Sequence, residues 1–464
     1  MKKHFKVLAI VMFLAYTSSV CSQTVPSGPL LVGAAKVDIT PAPNELPKNF
    51  LGILDHVWSR AIYIDNGKTG AVLVSLDAGG IPTQTASDIR ARVQKEFGIP
   101  VANVLISGTH THSAPFIGRF AFGPNRDTTP DTTGAYIEKI FSSIRKAKEA
   151  LQPAKVSFGE GVSYLNVQRD QIDPVTHGWW EGANYSGLSD KTVAVVKFVS
   201  MKDEPIAVYF NYAMHAVITG NLDLVSGDFP GAASRYIERA LGDKAVALFT
   251  SGAAGDQNPI YFQQTYDLRE IRIKEYAKRG EDISNAMPPG GQGLDRKNPE
   301  VARLMEEQKE MSNSMGQLLG EEVLRAMREA KPGVSDVRIF GKESTVTCPG
   351  RNRTNQGRGG IQGTYTDGPD VNITVDLLMI NDIAVGAVNG EVYNAIAQRL
   401  KRESPYSKTM MITVTNGFAN SGYIPDDASF GHQTFEVLSS RLKPGCAETG
   451  IVEGIIGMMP KITY

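Results

Sequence analysis

The chain has 464 residues, 42% of them hydrophobic and 21% charged, enough apolar material for a sizeable buried core. Its 48 basic and 49 acidic side chains leave a formal net charge of -1, so nothing in the balance suggests a nucleic-acid footprint or a polybasic membrane patch. Only three cysteines are present, Cys21, Cys348 and Cys446, which excludes a cysteine-rich zinc cluster and leaves histidine and carboxylate as the ligands for any metal.

The N-terminal MKKHFKVLAIVMFLAYTSSVCSQ has a basic start (Lys2, Lys3, Lys6), an apolar run from Val7 to about Tyr16 and then small residues. This is the layout of a signal peptide, expected over residues 1–22, and it implies export to a secreted or periplasmic location. The run falls short of the ~20 residues that a membrane span needs. Cys21 offers a lipoprotein alternative, disfavoured because Val20 precedes it where Gly, Ala or Ser is usual. In such a compartment Cys348 and Cys446 are open to a disulfide or to two separate buried thiols.

From Leu30 onward, apolar runs alternate with amphipathic stretches: RAIYIDN, GAVLVSLDAGG, the helical TQTASDIRARVQKEFG, then NVLISGTHTHS. TVAVVKFVS, PIAVYFNYAMHAV, a helix in GAASRYIERALG, and AVALFTSGAAGDQNP continue the pattern. Strands that end in polar clusters, separated by helices, predict an α/β fold with a mixed β-sheet core flanked by helices. Residues 263–332 are dense in charge at helical spacing and predict a helical excursion solvated on one face. VRIFGKESTVT, the basic glycine-rich loop RNRTNQGRGGIQG, NITVDLLMINDIAVGAVNGE, a helix from about Val392 to Lys401 and MMITVTNGFANSGYIPDD follow. No linker or repeat divides residues 23–464, so one catalytic domain is expected.

His110 and His112 lie after one predicted strand and His215 after another. A His-x-His pair extended on a strand points both rings to one side. A third histidine from a neighbouring strand end and a carboxylate would complete a site with a position left for water. Glu391, which follows an apolar strand and opens a helix, is the natural carboxylate. Each residue also has an ordinary reading, His110 or His215 as a hydrogen-bonded strand end and Glu391 as a helix-dipole acid. The chain has no G-x-S-x-G, S-x-x-K, phosphate-binding loop with Lys-Ser/Thr or H-E-x-x-H, so a metal-activated water is the leading nucleophile.

VGAAKVDITP, SRAIYIDNG, VLVSLDAGG, NVLISGTHTHSAP, LNVQRD, NYAMHAV, SGDFPGAAS, SGAAGDQNP, GAVNGE and NGFANSGYIP occur in one order and spacing. In this the chain resembles the catalytic domain of neutral, non-lysosomal ceramidases from about Leu30 to its end, with 263–332 divergent. The resemblance implies a Zn2+-dependent amidohydrolase that cleaves the N-acyl bond of ceramide. By position it implies His110, His215, Glu391 and Tyr423 as metal ligands, and His112 beside the reacting water. Arg169 would polarise the scissile carbonyl. Asp256 and Asp228 would support the site, Asp228 on the substrate side. The family's serine in the motif matching GDQNP is Asn258 here, where an amide takes over catalytic and substrate contacts. Two further departures are expected: no C-terminal immunoglobulin-like domain follows, and HTHSAPF lacks the glycines that usually come after it.

The expected partner is a lipid or other small-molecule substrate, with peripheral membrane contact compatible with a lipid and no nucleic acid. The sequence does not fix an oligomeric state. Two alternatives stand beside the ceramidase-like reading. One is a zinc hydrolase of a carbohydrate-derived or other polar ester, lactone or amide, served by RNRTNQGRGG and Trp179-Trp180. The other is a non-catalytic binding protein that keeps the pocket.

Overall fold

The computed structural model describes residues 25–114, 133–284 and 287–461. The expected signal peptide with Cys21, and Phe116 of HTHSAPF, lie outside the described residues.

Two sheets make the core. In the larger one, eight strands lie in the order Val246–Ser251, Pro205–Tyr212, Thr192–Ser200, Gln152–Val162, Leu31–Asp38, Trp58–Asp65, Gly70–Leu76, Val104–Gly108. The pairs at its two ends are parallel and the pairs between them antiparallel. Each parallel pair needs a crossover, and a helix supplies it: Thr83–Phe97 at one end and Asp228–Ala240 at the other. The second sheet runs Ser27–Pro29, Asp336–Arg353, Tyr365–Ile380, Ile383–Val388, Lys408–Ile412. Its one parallel pair, Ile383–Val388 with Lys408–Ile412, is joined by helix Asn394–Glu403. The mixed α/β architecture read from the sequence is the one observed.

Strand alternation explains the layers. Ile62, Ile64, Leu73 and Leu105 face the second sheet and pack on Ile339, Leu378, Val385 and Ile412. Their neighbours Tyr63, Val72, Val74 and Ile106 face the other way, onto Ile89, Val93, Phe141 and Ile144 of two helices. At the other end of the large sheet, Val208, Phe210 and Phe249 pack on Phe229, Ile237, Met315 and Leu319. Helices Asn394–Glu403 and Ala447–Met458 cover the outer face of the second sheet through Ile396, Leu400, Ile451 and Ile455. The result is helices, sheet, sheet, helices.

The charged stretch contains helices Gln263–Ala277 and Pro299–Glu329. Asn298 caps the second, its side chain accepting from Glu300 N at 2.9 Å. The helix buries Val301, Leu304, Met315, Leu319 and Val323 along one face. A Cβ on Gly316 would stand 2.5 Å from Ala232 Cβ, so glycine there permits the close approach to helix Asp228–Ala240. Among the described residues no helix is long and apolar enough to cross a membrane.

Cys348 and Cys446 are joined as a disulfide, which ties the long hairpin to the start of helix Ala447–Met458 across 98 positions of sequence. Closing a loop of that length restricts the unfolded chain. Replacing both cysteines by alanine is expected to lower unfolding free energy by about 2–4 kcal/mol, measured by denaturant titration, with dithiothreitol reproducing the loss in the parent chain.

Candidate metal centre

Of the side chains singled out in the sequence, His110, His112, His215, Glu391 and Tyr423 gather at the carboxyl ends of the three parallel strand pairs. His110 follows Val104–Gly108, and its Nδ1 donates to the carbonyl of Gly79, which follows the paired strand Gly70–Leu76, at 2.7 Å. His215 follows Pro205–Tyr212, and its Nδ1 donates to the carbonyl of Ala254, which follows the paired strand Val246–Ser251, at 2.7 Å. Glu391 follows Ile383–Val388, and Tyr423 follows its partner Lys408–Ile412. Glu391 and Tyr423 are direct partners in a short parallel bridge, so their side chains leave on the same side.

With each Nδ1–H committed to a carbonyl, the Nε2 atoms of neutral His110 and His215 carry lone pairs, and they face one another at 3.2 Å. Glu391 Oε2 lies 3.2 Å from His110 Nε2 and 3.3 Å from His215 Nε2. That oxygen is buried without a hydrogen-bond partner. Three electron-rich atoms in mutual contact repel unless a cation or a proton lies among them, so the residues present fit a metal ion. His112 adds a further imidazole nitrogen, the three histidines offering ligand atoms within 4.8 Å of one another. His110 and His215 are buried, at 6% and 1% exposure, whereas His112 is exposed.

Electrostatics favour a deprotonated carboxylate in the recess. Burial alone would raise Glu391, but His110 and His215 hold it well below the usual carboxylate range. Burial, with the Arg169 cation nearby, pushes His215 down to about 4. His110 is raised, because Glu391 outweighs the burial that opposes its charge. His112 is pushed well down by the atoms crowded around it and by its histidine neighbours, although part of its surface stays open to solvent.

Arg169, 3% exposed, holds the flank of the recess. Its Nε meets Glu436 Oε1 at 2.6 Å, and its two terminal nitrogens donate to Asn258 Oδ1 at 3.1 Å and to the Gly255 carbonyl at 2.7 Å. Its guanidinium also lies 5.5 Å from the ring of the Tyr423 phenol. Burial and the Glu391 charge keep that phenol protonated. Asn258 is buried and engaged at both ends, its Nδ2 donating to Glu181 Oε1 at 3.3 Å.

Asp256 and Asp228 do not reach the cluster. Asp256 Oδ1 accepts from Asn394 N at 2.8 Å, and its carbonyl accepts from Arg169 N at 2.9 Å. Burial, reinforced by Asp170, raises its carboxyl to about 7. Asp228 accepts from Thr219 N at 2.9 Å and from Ser312 Oγ at 3.1 Å, and Thr219 Oγ1 links it to Ser113 at 2.8 Å, next to His112.

Three local expectations are corrected. The His-x-His pair is not extended on a strand: the strand ends at Gly108, and His110 has φ 64°, so a left-handed turn converges the two rings. His215 does not come from a neighbouring strand, since Pro205–Tyr212 and Val104–Gly108 lie toward opposite ends of the large sheet. The sheet curls until they meet: Ser75 Oγ donates to the Phe249 carbonyl at 2.6 Å, and His112 N donates to the Ala216 carbonyl at 3.0 Å. Glu391 precedes the helix rather than opening it, because the bridge with Tyr423 comes first and the helix begins at Asn394.

Glu436, Glu181 and Asp170 were not singled out from sequence. Asp170 follows Arg169 in NVQRD, and Glu181 follows the tryptophan pair, so both stood beside residues already marked. Glu436, in TFEVLSS, carries no motif at all.

The model of the family described as neutral/alkaline non-lysosomal ceramidase, N-terminal, matches residues 31–369. Neutral ceramidase of Drosophila pseudoobscura pseudoobscura is 28% identical over 255 residues, 49% of this chain and 36% of the relative. That of Drosophila melanogaster is 28% identical over 279 residues, 54% of this chain and 39% of the relative. That of Pseudomonas aeruginosa is 27% identical over 288 residues, 56% of this chain and 42% of the relative. The matched part thus spans well under half the length of these relatives. The crystal structure of the Pseudomonas aeruginosa enzyme superposes with a TM-score of 0.67 at 17% identity, covering 93% of this chain and 74% of that one, which shows a shared fold. On the match to its family model over residues 31–369, the chain belongs to the neutral/alkaline non-lysosomal ceramidase family.

Proposed function

We propose that residues 23–464 form one zinc-dependent hydrolase domain that cleaves an amide bond, with ceramide and related N-acyl lipids as the first candidate substrates. One observation carries the reading: His110 Nε2, His215 Nε2 and Glu391 Oε2 stand 3.2–3.3 Å apart. Ligands about 2.0–2.1 Å from a tetrahedral zinc are separated by about 3.3–3.4 Å, so the spacing suits that ion. Tyr423, paired with Glu391, would be the fourth protein ligand, held more weakly than the other three so that a water could still bind. Export fits the Cys348–Cys446 disulfide, which an oxidising compartment sustains.

A bound zinc ion supplies Lewis acidity and lowers the pKa of a water toward about 7. The protein does the rest. His112 is exposed and makes no side-chain hydrogen bond among the described residues, so its ring is available to take a proton from the attacking water and pass it to the leaving nitrogen. Water adds to the carbonyl carbon, the C–N bond breaks, and a carboxylic acid and an amine leave. Arg169, fixed by Glu436, Asn258 and Gly255, places a permanent positive charge beside the carbonyl oxygen as charge grows there. Asn258 acts through Arg169, Asp256 holds the backbone of Arg169, and Asp228 braces Ser113 beside His112.

The purified chain is expected to carry stoichiometric zinc and to release fatty acid from an N-acyl lipid, with His215→Ala losing both. Elemental analysis and product assay read the two, and a parent chain without zinc would overturn the proposal. Arg169→Gln should keep the zinc and lower kcat by about 10²–10³-fold. Asp256 titrates at about 7 in the fold against an ordinary 3.8, so the folded chain binds this proton more tightly than the unfolded one. Stability from this group is therefore present at low pH and lost as pH rises between about 4 and 7. Asp256→Asn should flatten that slope in denaturant titrations and be the more stable protein above the window, by roughly a few kcal/mol.

A further inference from the structure

Beside the metal centre lies a second cavity of about 390 Å3, lined by Trp179, Trp180, Glu181, Arg269, Arg358 and Phe435 among others. Its wall is shared with the recess. Phe435 packs edge-on against Tyr423 with ring centroids 5.7 Å apart, and Arg169 and Arg358 lie 5.3 and 4.2 Å from its ring. Glu181 bridges Arg358, at 3.2 Å, and Asn258, at 3.3 Å. The glycine-rich basic loop and the tryptophan pair, distant in sequence, thus meet one side chain away from Tyr423 and Arg169.

The lining is preorganised and polar. Trp179 is stacked on His432 at 3.7 Å, and His432 is held by Asp170 at 2.9 Å. Trp180 is 40% exposed. Arg269 donates only to the Ser284 carbonyl, at 3.4 Å, and has no carboxylate partner among the described residues. An alkyl chain in this space would strip water from Arg269, Arg358 and Glu181 and return no hydrogen bond. A simple anion would meet the carboxylates of Glu181 and Asp173. A neutral group dense in hydroxyls offers acceptors to the arginines, donors to the carboxylates and C–H faces to the indoles.

We infer that this cavity binds a hydroxyl-rich, sugar-like part of the substrate rather than one of its hydrocarbon chains. That the bound group belongs to a hydrolase substrate rests on the hydrolase reading; the binding itself does not.

Isothermal titration of the full chain with N-acetylglucosamine tests it, with n-octanol as the alkyl competitor. The parent chain and His215→Ala should both bind the sugar saturably, Arg269→Gln and Trp180→Leu should bind it at least about tenfold more weakly, and octanol should not displace it. Circular dichroism confirms that the two variants, at half-buried Arg269 and exposed Trp180, are folded. No saturable binding by the parent chain, equal binding by both folded variants, or displacement by octanol would each overturn the inference. The two readings fail separately: a chain without zinc that binds the sugar through Arg269 and Trp180 sinks only the hydrolase. Zinc-dependent cleavage of N-acyl lipids without sugar binding sinks only this inference.

Discussion

Parallel strand pairing is the constraint on which the site depends. Two parallel strands joined by a helix end on the same side, so whatever follows one strand lies beside whatever follows the other. The chain uses this three times. In two pairs, the turn after one strand carries a histidine and the turn after its partner carries the carbonyl that fixes the ring, Gly79 for His110 and Ala254 for His215. In the third pair the same relation places Glu391 beside Tyr423. The segment after Lys408–Ile412 then ties the pairs together. Thr413 N donates to the Ser251 carbonyl at 2.9 Å and Gly108 N to the Val414 carbonyl at 3.1 Å, so one extension of the small sheet bridges both ends of the large one.

Around this frame the charge arrangement is asymmetric. Arg169 lies among the acids Glu436, Asp170 and Glu181, with Asp256 behind its backbone. Burial drives Glu436 well above the usual carboxylate range even with Arg169 in contact, and Asp170 and Glu181 add to the rise. Such a buried pair contributes little net stability, because desolvating both partners offsets their attraction. What it supplies is position: the guanidinium is held at Nε and at both terminal nitrogens, which leaves it no freedom to swing away from Tyr423.

The alternation of apolar strands and amphipathic helices made the α/β class legible, because burial on both faces of a sheet writes a continuous apolar run into the sequence. The histidines and Glu391 were legible because they stand where such runs end. The closure of the large sheet was not, since curl is a sum of small twists that no single residue encodes. Thus the His110 turn and the meeting of opposite sheet ends appear only in three dimensions. Glu436 was hidden for another reason: it reaches Arg169 across more than half the chain and is buried in a five-residue helix whose sequence is unremarked by any pattern. The loop around Arg358 was legible only as basic and glycine-rich; that its arginine lies over Phe435 was not, because one charged residue on a hairpin tip says nothing about which way the tip folds.

The sequence distance between the gathered side chains has a consequence for how the protein is made. His110 and His215 are 105 positions apart, and Glu391 comes only after the second sheet has begun to form. Each contact therefore closes a long loop, whose entropy cost is met only when both sheets and their helices are packed together. In a nascent chain emerging from synthesis the histidines stand apart, without the convergence that the folded recess gives them. On the proposed zinc reading, tight metal uptake would therefore mark completed folding, the last event rather than a nucleus.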